Sequence, residues 1–277
     1  MIKCDIPDAT NISVVADWIE LSVAYEKSSV LKSAVSSKIE GASGDEPSDA
    51  FLSSIWDELE IRMSLYGEHP PFICNHEEIM PNLDWEECPE YLMFLILSLN
   101  GNPINPTPTG KLFERISREA VKNYLSGNAV VFGHPARYSV ADLCGFTNEK
   151  FKSELPPNYN DRGLDVMGWK PFNDRRGNQI LIMMQCAGGH NWISKTGDVV
   201  LRAWTEKYMT FGCKPVRGFS TVVVVSNNER FEEVSFETDL LFDRPRLYRC
   251  TVDLEVETTL RPEVITWCKD RIAEILN

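Results

Sequence analysis

The spacing of apolar positions divides the chain into segments of different period. Across residues 12–40, ISVVADWIELSVAYEKSSVLKSAVSSKIE, apolar side chains return every three or four residues, which predicts one or two helices. A polar break, GASGDEPSD, separates them from AFLSSIWDELEIRMSLYG. That second helix sets Phe51, Ile55 and Leu59 on one stripe with Leu52, Trp56 and Met63 beside it. Ser48 or Asp49 stands where a cap is needed, and Gly67 stops the helix. His69-Pro-Pro71 predicts a rigid turn. CPEYLMFLILSLNG predicts a buried helix ending at Asn100-Gly101. Trp18, Trp56 and Trp85 belong to the core of this mostly helical region, where aromatics at helical spacing usually go.

NPINPTPTG, residues 102–110, is a proline-rich joint and the expected boundary between a front region, 1–101, and a domain over 110–277. From Gly110, the run KLFERISREAVKNYL predicts an amphipathic helix closed by Ser126-Gly127. NAVVFGHP predicts a short strand, and ARYSVADLCGFTNEKFKSELPPNY one or two helices. Further on, VVLRAWTEKYMT reads as a helix and FSTVVVV, 219–225, as a fully buried strand suited to parallel pairing. PEVITWCKDRIAEIL predicts a closing helix begun by Pro262.

Between these lie two apolar runs, 163–169 and 179–187, on either side of the polar turn NDRRGN. The first contains one acid, Asp165, and the second one interior amide, Gln185. Strand alternation puts Asp165 with Met167 and Trp169, and Gln185 with Leu181, Met183 and Ala187. If the runs pair through the turn, the acid and the amide come side by side. An unpaired buried polar group costs roughly 1–3 kcal/mol, so each needs a partner. A divalent cation bound by oxygens would be one. A turn acceptor at Asp165 and an ordinary interior hydrogen bond at Gln185 would be another.

Composition adds a split in charge. Of 41 acids and 28 bases, residues 1–100 hold 19 and 5, a local net of −14. Residues 101–277 hold the other 22 and 23, a net of +1, so the overall −13 belongs to the front third. Such a chain is expected to carry two functional surfaces. Eight cysteines with no C-x-x-C pair read as reduced thiols, and Cys74, His76, His69 and Cys88 fit no standard zinc spacing. There is no 18-residue apolar run and the N-terminus lacks signal-peptide design, so the expectation is a cytoplasmic protein without a membrane span.

The order G-x-x-F-E on a helix, G-L-D on a strand and Q-C-x on the next strand resembles the Mrr-like branch of the PD-(D/E)xK restriction-endonuclease superfamily, over roughly residues 110–192. The resemblance implies an α/β fold, a restriction-endonuclease-like mixed sheet flanked by helices, here preceded by the acidic helical region. It implies that Glu114, Asp165 and Gln185 gather around Mg²⁺ (or Mn²⁺) as catalytic and metal-binding residues. The implied activity is metal-dependent hydrolysis of phosphodiester bonds, as an endodeoxyribonuclease, with nucleic acid, DNA above all, as the substrate. Bacterial restriction or phage defence is the implied setting, and a protein partner would dock on the acidic front region.

One departure matters: the family's lysine falls two residues after the Gln, where this chain has Ala187. A methyl group cannot orient water or stabilise developing negative charge. His190 and Lys195 are the nearest replacements, and Lys111 and Arg118 share the helix face of Glu114. The alternative is a catalytically degenerate subunit that binds nucleic acid or scaffolds a complex. Phosphate contacts are expected from Lys111, Arg118, Arg162, Lys170, Arg175 and Arg176, the last two on the exposed NDRRGN turn, with Arg244, Arg246 and Arg249 as a further basic cluster.

Overall fold

The computed structural model describes residues 5–100, 106–133, 137–157, 161–252 and 254–276. The front region holds α1 (Ile12–Glu26), β1 (Val30–Leu31), α2 (Lys32–Ser43), α3 (Asp49–Tyr66), β2 (Phe72–Cys74), β3 (Glu78–Pro81) and α4 (Pro89–Asn100). Asn11 caps α1 by accepting from the Ser13 and Val14 amides, and Ser48 caps α3 through Phe51. The region is not wholly helical, because β1, β3 and β2 form a small antiparallel sheet. Two and three residues long at β1 and β2, these strands are too short to show a period in the sequence.

After residues 101–105, which lie outside the described set, come α5 (Pro106–Leu125), β4 (Asn128–Val131), α6 (Val140–Thr147) and β5 (Lys150–Phe151). They are followed by β6 (Val166–Lys170), β7 (Ile180–Ala187), α7 (Leu201–Ala203), β8 (Met209–Thr210) and β9 (Val216–Thr221). The chain closes with α8 (Asn228–Thr238), β10 (Leu240–Phe242), α9 (Arg244–Arg249) and α10 (Leu260–Leu276). The main sheet is mixed, in the order β10-β9-β7-β6-β4. β4 pairs with β6 and β6 with β7 antiparallel, while β7 pairs with β9 and β9 with β10 in parallel.

Helices cover both faces. α5 lies across β4, β6 and β7, and Gly168 permits the approach: a Cβ there would stand 2.2 Å from the Val121 methyl. Val166, Ile182 and Met184 join that side's core. The other face buries Met167, Trp169, Leu181 and Met183 against Leu143 of α6 and Trp204. The proline-rich joint does not separate two cores. One apolar cluster takes in Trp18 and Leu92 from the front region, Ile116 from α5, Val166 from the sheet and Val264 from α10.

Three expectations change. The helix expected over VVLRAWTEKYMT is one short turn that continues as a π-helical turn, Trp204–Tyr208, before β8. The valine run 219–225 is a strand only as far as Thr221. Its backbone then turns to α9: the Val222 carbonyl accepts from Arg244 Nε at 2.8 Å and the Val223 carbonyl from the Arg244 amide at 3.1 Å. The Arg244–Arg249 cluster is split, with Arg246 and Arg249 exposed and Arg244 fully buried.

Arg244 belongs to an ionic knot that joins α9 to α1, α3 and α4. Arg62 Nη1 pairs with Asp17 at 2.6 Å and Glu20 at 2.7 Å, while Arg244 Nη2 pairs with Asp17 at 2.9 Å. Tyr91 and Tyr66 donate to Glu20 at 2.6 and 3.1 Å, and Ser98 donates to Asp17. Two guanidiniums beside these carboxylates outweigh burial and hold the Asp17 carboxyl below its ordinary value.

Candidate metal and nucleic-acid site

Glu114 reaches the site because α5 is amphipathic. Leu112, Phe113 and Ile116 are buried, which leaves Glu114 at the margin of the packed face. Asp165 sits one residue before β6, held by main-chain bonds on both sides. Its amide donates to the Met184 carbonyl at 2.9 Å, and its carbonyl accepts from Phe132 at 2.7 Å and Gly133 at 3.1 Å. Its side chain is fixed as well, since Oδ2 accepts from the Cys186 amide at 2.7 Å. Gln185 is one residue away on β7, across the register pair Val166 and Met184.

These three side chains line one cleft of about 240 Å³, with Lys195 also on its wall. Glu114 Oε2 and Asp165 Oδ1 lie 2.9 and 3.0 Å from the point where a Cβ on Gly133 would sit, so the sum of those distances bounds their separation. Any side chain at 133 would fill the space between the two carboxylates. Burial, reinforced by the charges of Glu114 and Asp161, pushes the Asp165 carboxyl up to about 7, against the Cys186 amide and Lys111. Burial also raises Glu114, opposed by Lys111, whose Nζ stands 2.8 and 3.1 Å from its two oxygens.

Gln185 supplies the test of whether a metal fits. Its Oε1 is buried with no hydrogen-bond partner, and its Nε2 makes one long contact, 3.5 Å, to the Cys186 carbonyl. An orphaned amide oxygen and two carboxylates lining one cleft are the kind of oxygen donors that would hold Mg²⁺. Among the described residues no three His, Cys, Asp or Glu side chains converge on one metal position. The set here is two carboxylates and an amide, and those residues fit.

The remaining expected residues divide. Lys111 and Lys195 bring ammonium groups to the cleft, while His190 is exposed on the turn after β7 and does not line it. Arg118 is paired with Glu119 and Glu257. Arg162 donates to the Tyr208 hydroxyl at 3.2 Å. Lys170, Arg175 and Arg176 are not brought to the cleft: they occupy the β6–β7 hairpin end, opposite the end that carries Asp165 and Gln185. There Lys170 donates to the Ser126 carbonyl, and Arg176 pairs with Asp174 at 2.5 Å. Ala187 is packed among Trp192, Phe219 and Val234.

Asp161 is the residue that sequence reasoning missed. It lies in the loop before β6, accepts from the Gly163 amide at 2.9 Å, and its charge raises both Asp165 and Glu114. The available signal was the first acid in NDRGLD, four residues before Asp165. Comparison with protein-family models, curated proteins and solved structures finds no significant match to this chain.

Proposed function

We propose that the chain is a Mg²⁺-dependent nuclease of restriction-endonuclease-like fold that hydrolyses phosphodiester bonds in DNA. The observation that carries this reading is the convergence of Glu114, Asp165 and Gln185 from three elements on one cleft, with Gln185 Oε1 buried and unpartnered. Glu114 Oε2, Asp165 Oδ1 and Gln185 Oε1 would hold the ion. A divalent cation supplies Lewis-acid activation of water and neutralises charge at the phosphate. Asp165 is oriented for this by the Cys186 amide and Glu114 by Lys111. Lys195, at the end of the Trp192–Lys195 turn, carries the positive charge that position 187 lacks. It stabilises the phosphate oxygens as water bonds to phosphorus and the P–O bond to the leaving oxygen breaks. The acidic front region is proposed as the surface for a protein partner.

A second reading, a degenerate nuclease fold that binds nucleic acid without cutting it, is favoured by Ala187, whose methyl is 2% exposed in an apolar cluster. Plasmid cleavage and duplex binding, each with Mg²⁺ and Mn²⁺, separate the two. The first reading expects cleavage by the parent and none by Glu114→Gln or Gln185→Ala. Binding without cleavage by the parent selects the second, and loss of both activities rejects both.

A further inference from the structure

The outer face of α5 carries two arginines that are already engaged. Residues 254–259, on the way from α9 to α10, lie along that face. Arg115 Nη2 donates to Glu257 at 3.1 Å and to Thr259 Oγ1 at 3.1 Å, and Arg118 Nη2 pairs with Glu257 at 2.5 Å. Arg115 Nη1 pairs with Glu263, in the first turn of α10, at 2.5 Å. Asn123 pins the approach by donating to the Cys250 carbonyl at 2.9 Å and the Glu255 carbonyl at 3.3 Å. The arginines, Glu257 and Glu263 line a groove of about 550 Å³ whose floor includes edge strand β4.

This groove adjoins the carboxylate cleft. Lys111 lines the groove while its Nζ rests on Glu114, and Gly133 lines it while abutting Glu114 and Asp165. A chain of phosphates leaving the cleft over α5 therefore meets Arg115 and Arg118 next. A carboxylate offers a guanidinium the same planar pair of acceptor oxygens that a phosphate offers. The pairs are also displaceable: the Glu257 and Glu263 side chains keep 37% and 49% exposure, and ion pairs so placed hold weakly.

We propose that residues 254–263 act as a built-in phosphate mimic, in which Glu257 and Glu263 occupy Arg115 and Arg118 and restrain the binding of a polyanion backbone in the groove. The proposal rests on the nucleic-acid reading of the adjoining cleft. A merely structural clasp would behave differently, since its removal would loosen the 254–259 segment and add no affinity for polyanions.

The test uses the full chain as parent, Glu257→Gln, Glu263→Gln and the double variant, with thermal melts to show that each is folded. Two probes are measured: elution from heparin as a function of salt, and anisotropy of a short labelled DNA duplex. The double variant should bind duplex about tenfold tighter or more, with a salt slope steeper by roughly one, as the freed Arg115 requires while Arg118 keeps its pair with Glu119. It should also leave heparin at higher salt, and adding Arg115→Gln with Arg118→Gln should erase both gains. Glu263→Gln alone, an exposed change, should give part of the effect even if Glu257 variants fold poorly. Unchanged or weaker retention on both probes overturns the mimic, and does so while leaving the nuclease reading intact if the parent binds and cuts DNA. Stronger heparin retention with no duplex binding by any variant sustains the mimic and removes the nucleic-acid reading.

Discussion

The Asp165→Asn substitution isolates the cost of holding a buried carboxylate in the cleft. Asp165 is 8% exposed, and burial lifts its carboxyl from 3.8 to about 7. Between those values the folded protein keeps a proton that the unfolded chain has released. Stability therefore falls as pH rises through this window, and the loss is complete above pH 7. At about 1.4 kcal/mol per pH unit, the gap corresponds to a penalty on the order of 4 kcal/mol at pH 8. Asparagine carries no charge, yet its carbonyl oxygen can still accept from the Cys186 amide, so the variant escapes the penalty and keeps the bond. In urea denaturation with a chelator, the variant should exceed the parent by about 3–4 kcal/mol at pH 8 and match it within about 1 kcal/mol at pH 4. Added Mn²⁺ at pH 8 should raise the parent's melting temperature and leave the variant's unchanged, because a ligand to the ion is gone. Equal stability of the two proteins at both pH values would refute the account of the buried carboxylate, and equal stabilisation by Mn²⁺ would refute the metal site.

Arg244→Ala leaves buried Asp17 and Glu20 sharing Arg62 as their one guanidinium and should lower unfolding free energy by about 3 kcal/mol, read from the urea midpoint. Ala187→Lys forces a longer, charged side chain among Trp192, Phe219 and Val234, so it should cost about 1–3 kcal/mol of stability and yield no gain in cleavage. Lys195→Ala should slow plasmid cleavage by roughly a hundredfold, in the range for losing one electrostatic donor, whereas His190→Ala should leave the rate unchanged, since His190 does not line the cleft.

What the sequence revealed follows period and turn chemistry. α5 shows a clean helical stripe, and β6 and β7 bracket a polar turn, so the meeting of Asp165 and Gln185 was legible from period, while Glu114 was added only by the family resemblance. Asp161 was not, because it stands in a loop where no period marks an inward residue. The fate of the arginines was hidden for a different reason. Nothing near Arg244 announces that its partners, Asp17 and Glu20, come from the other end of the chain. Arg118 reads as an open cation until Glu257 appears beside it. The valine run beyond Thr221 has strand composition throughout, and only the Arg244 contacts turn its backbone out of the sheet.

The ionic knot also sets a timetable for synthesis. The carboxylates of α1 leave the ribosome first and Arg62 follows with α3, so the emerging front region has one guanidinium for Asp17, Glu20 and Glu58. The second, Arg244, is made only after every residue of the cleft. Until then Asp17 and Glu20 share Arg62 as their one guanidinium. A fragment ending before residue 244 would carry Glu114, Asp165 and Gln185 but lack the second guanidinium that Asp17 and Glu20 use.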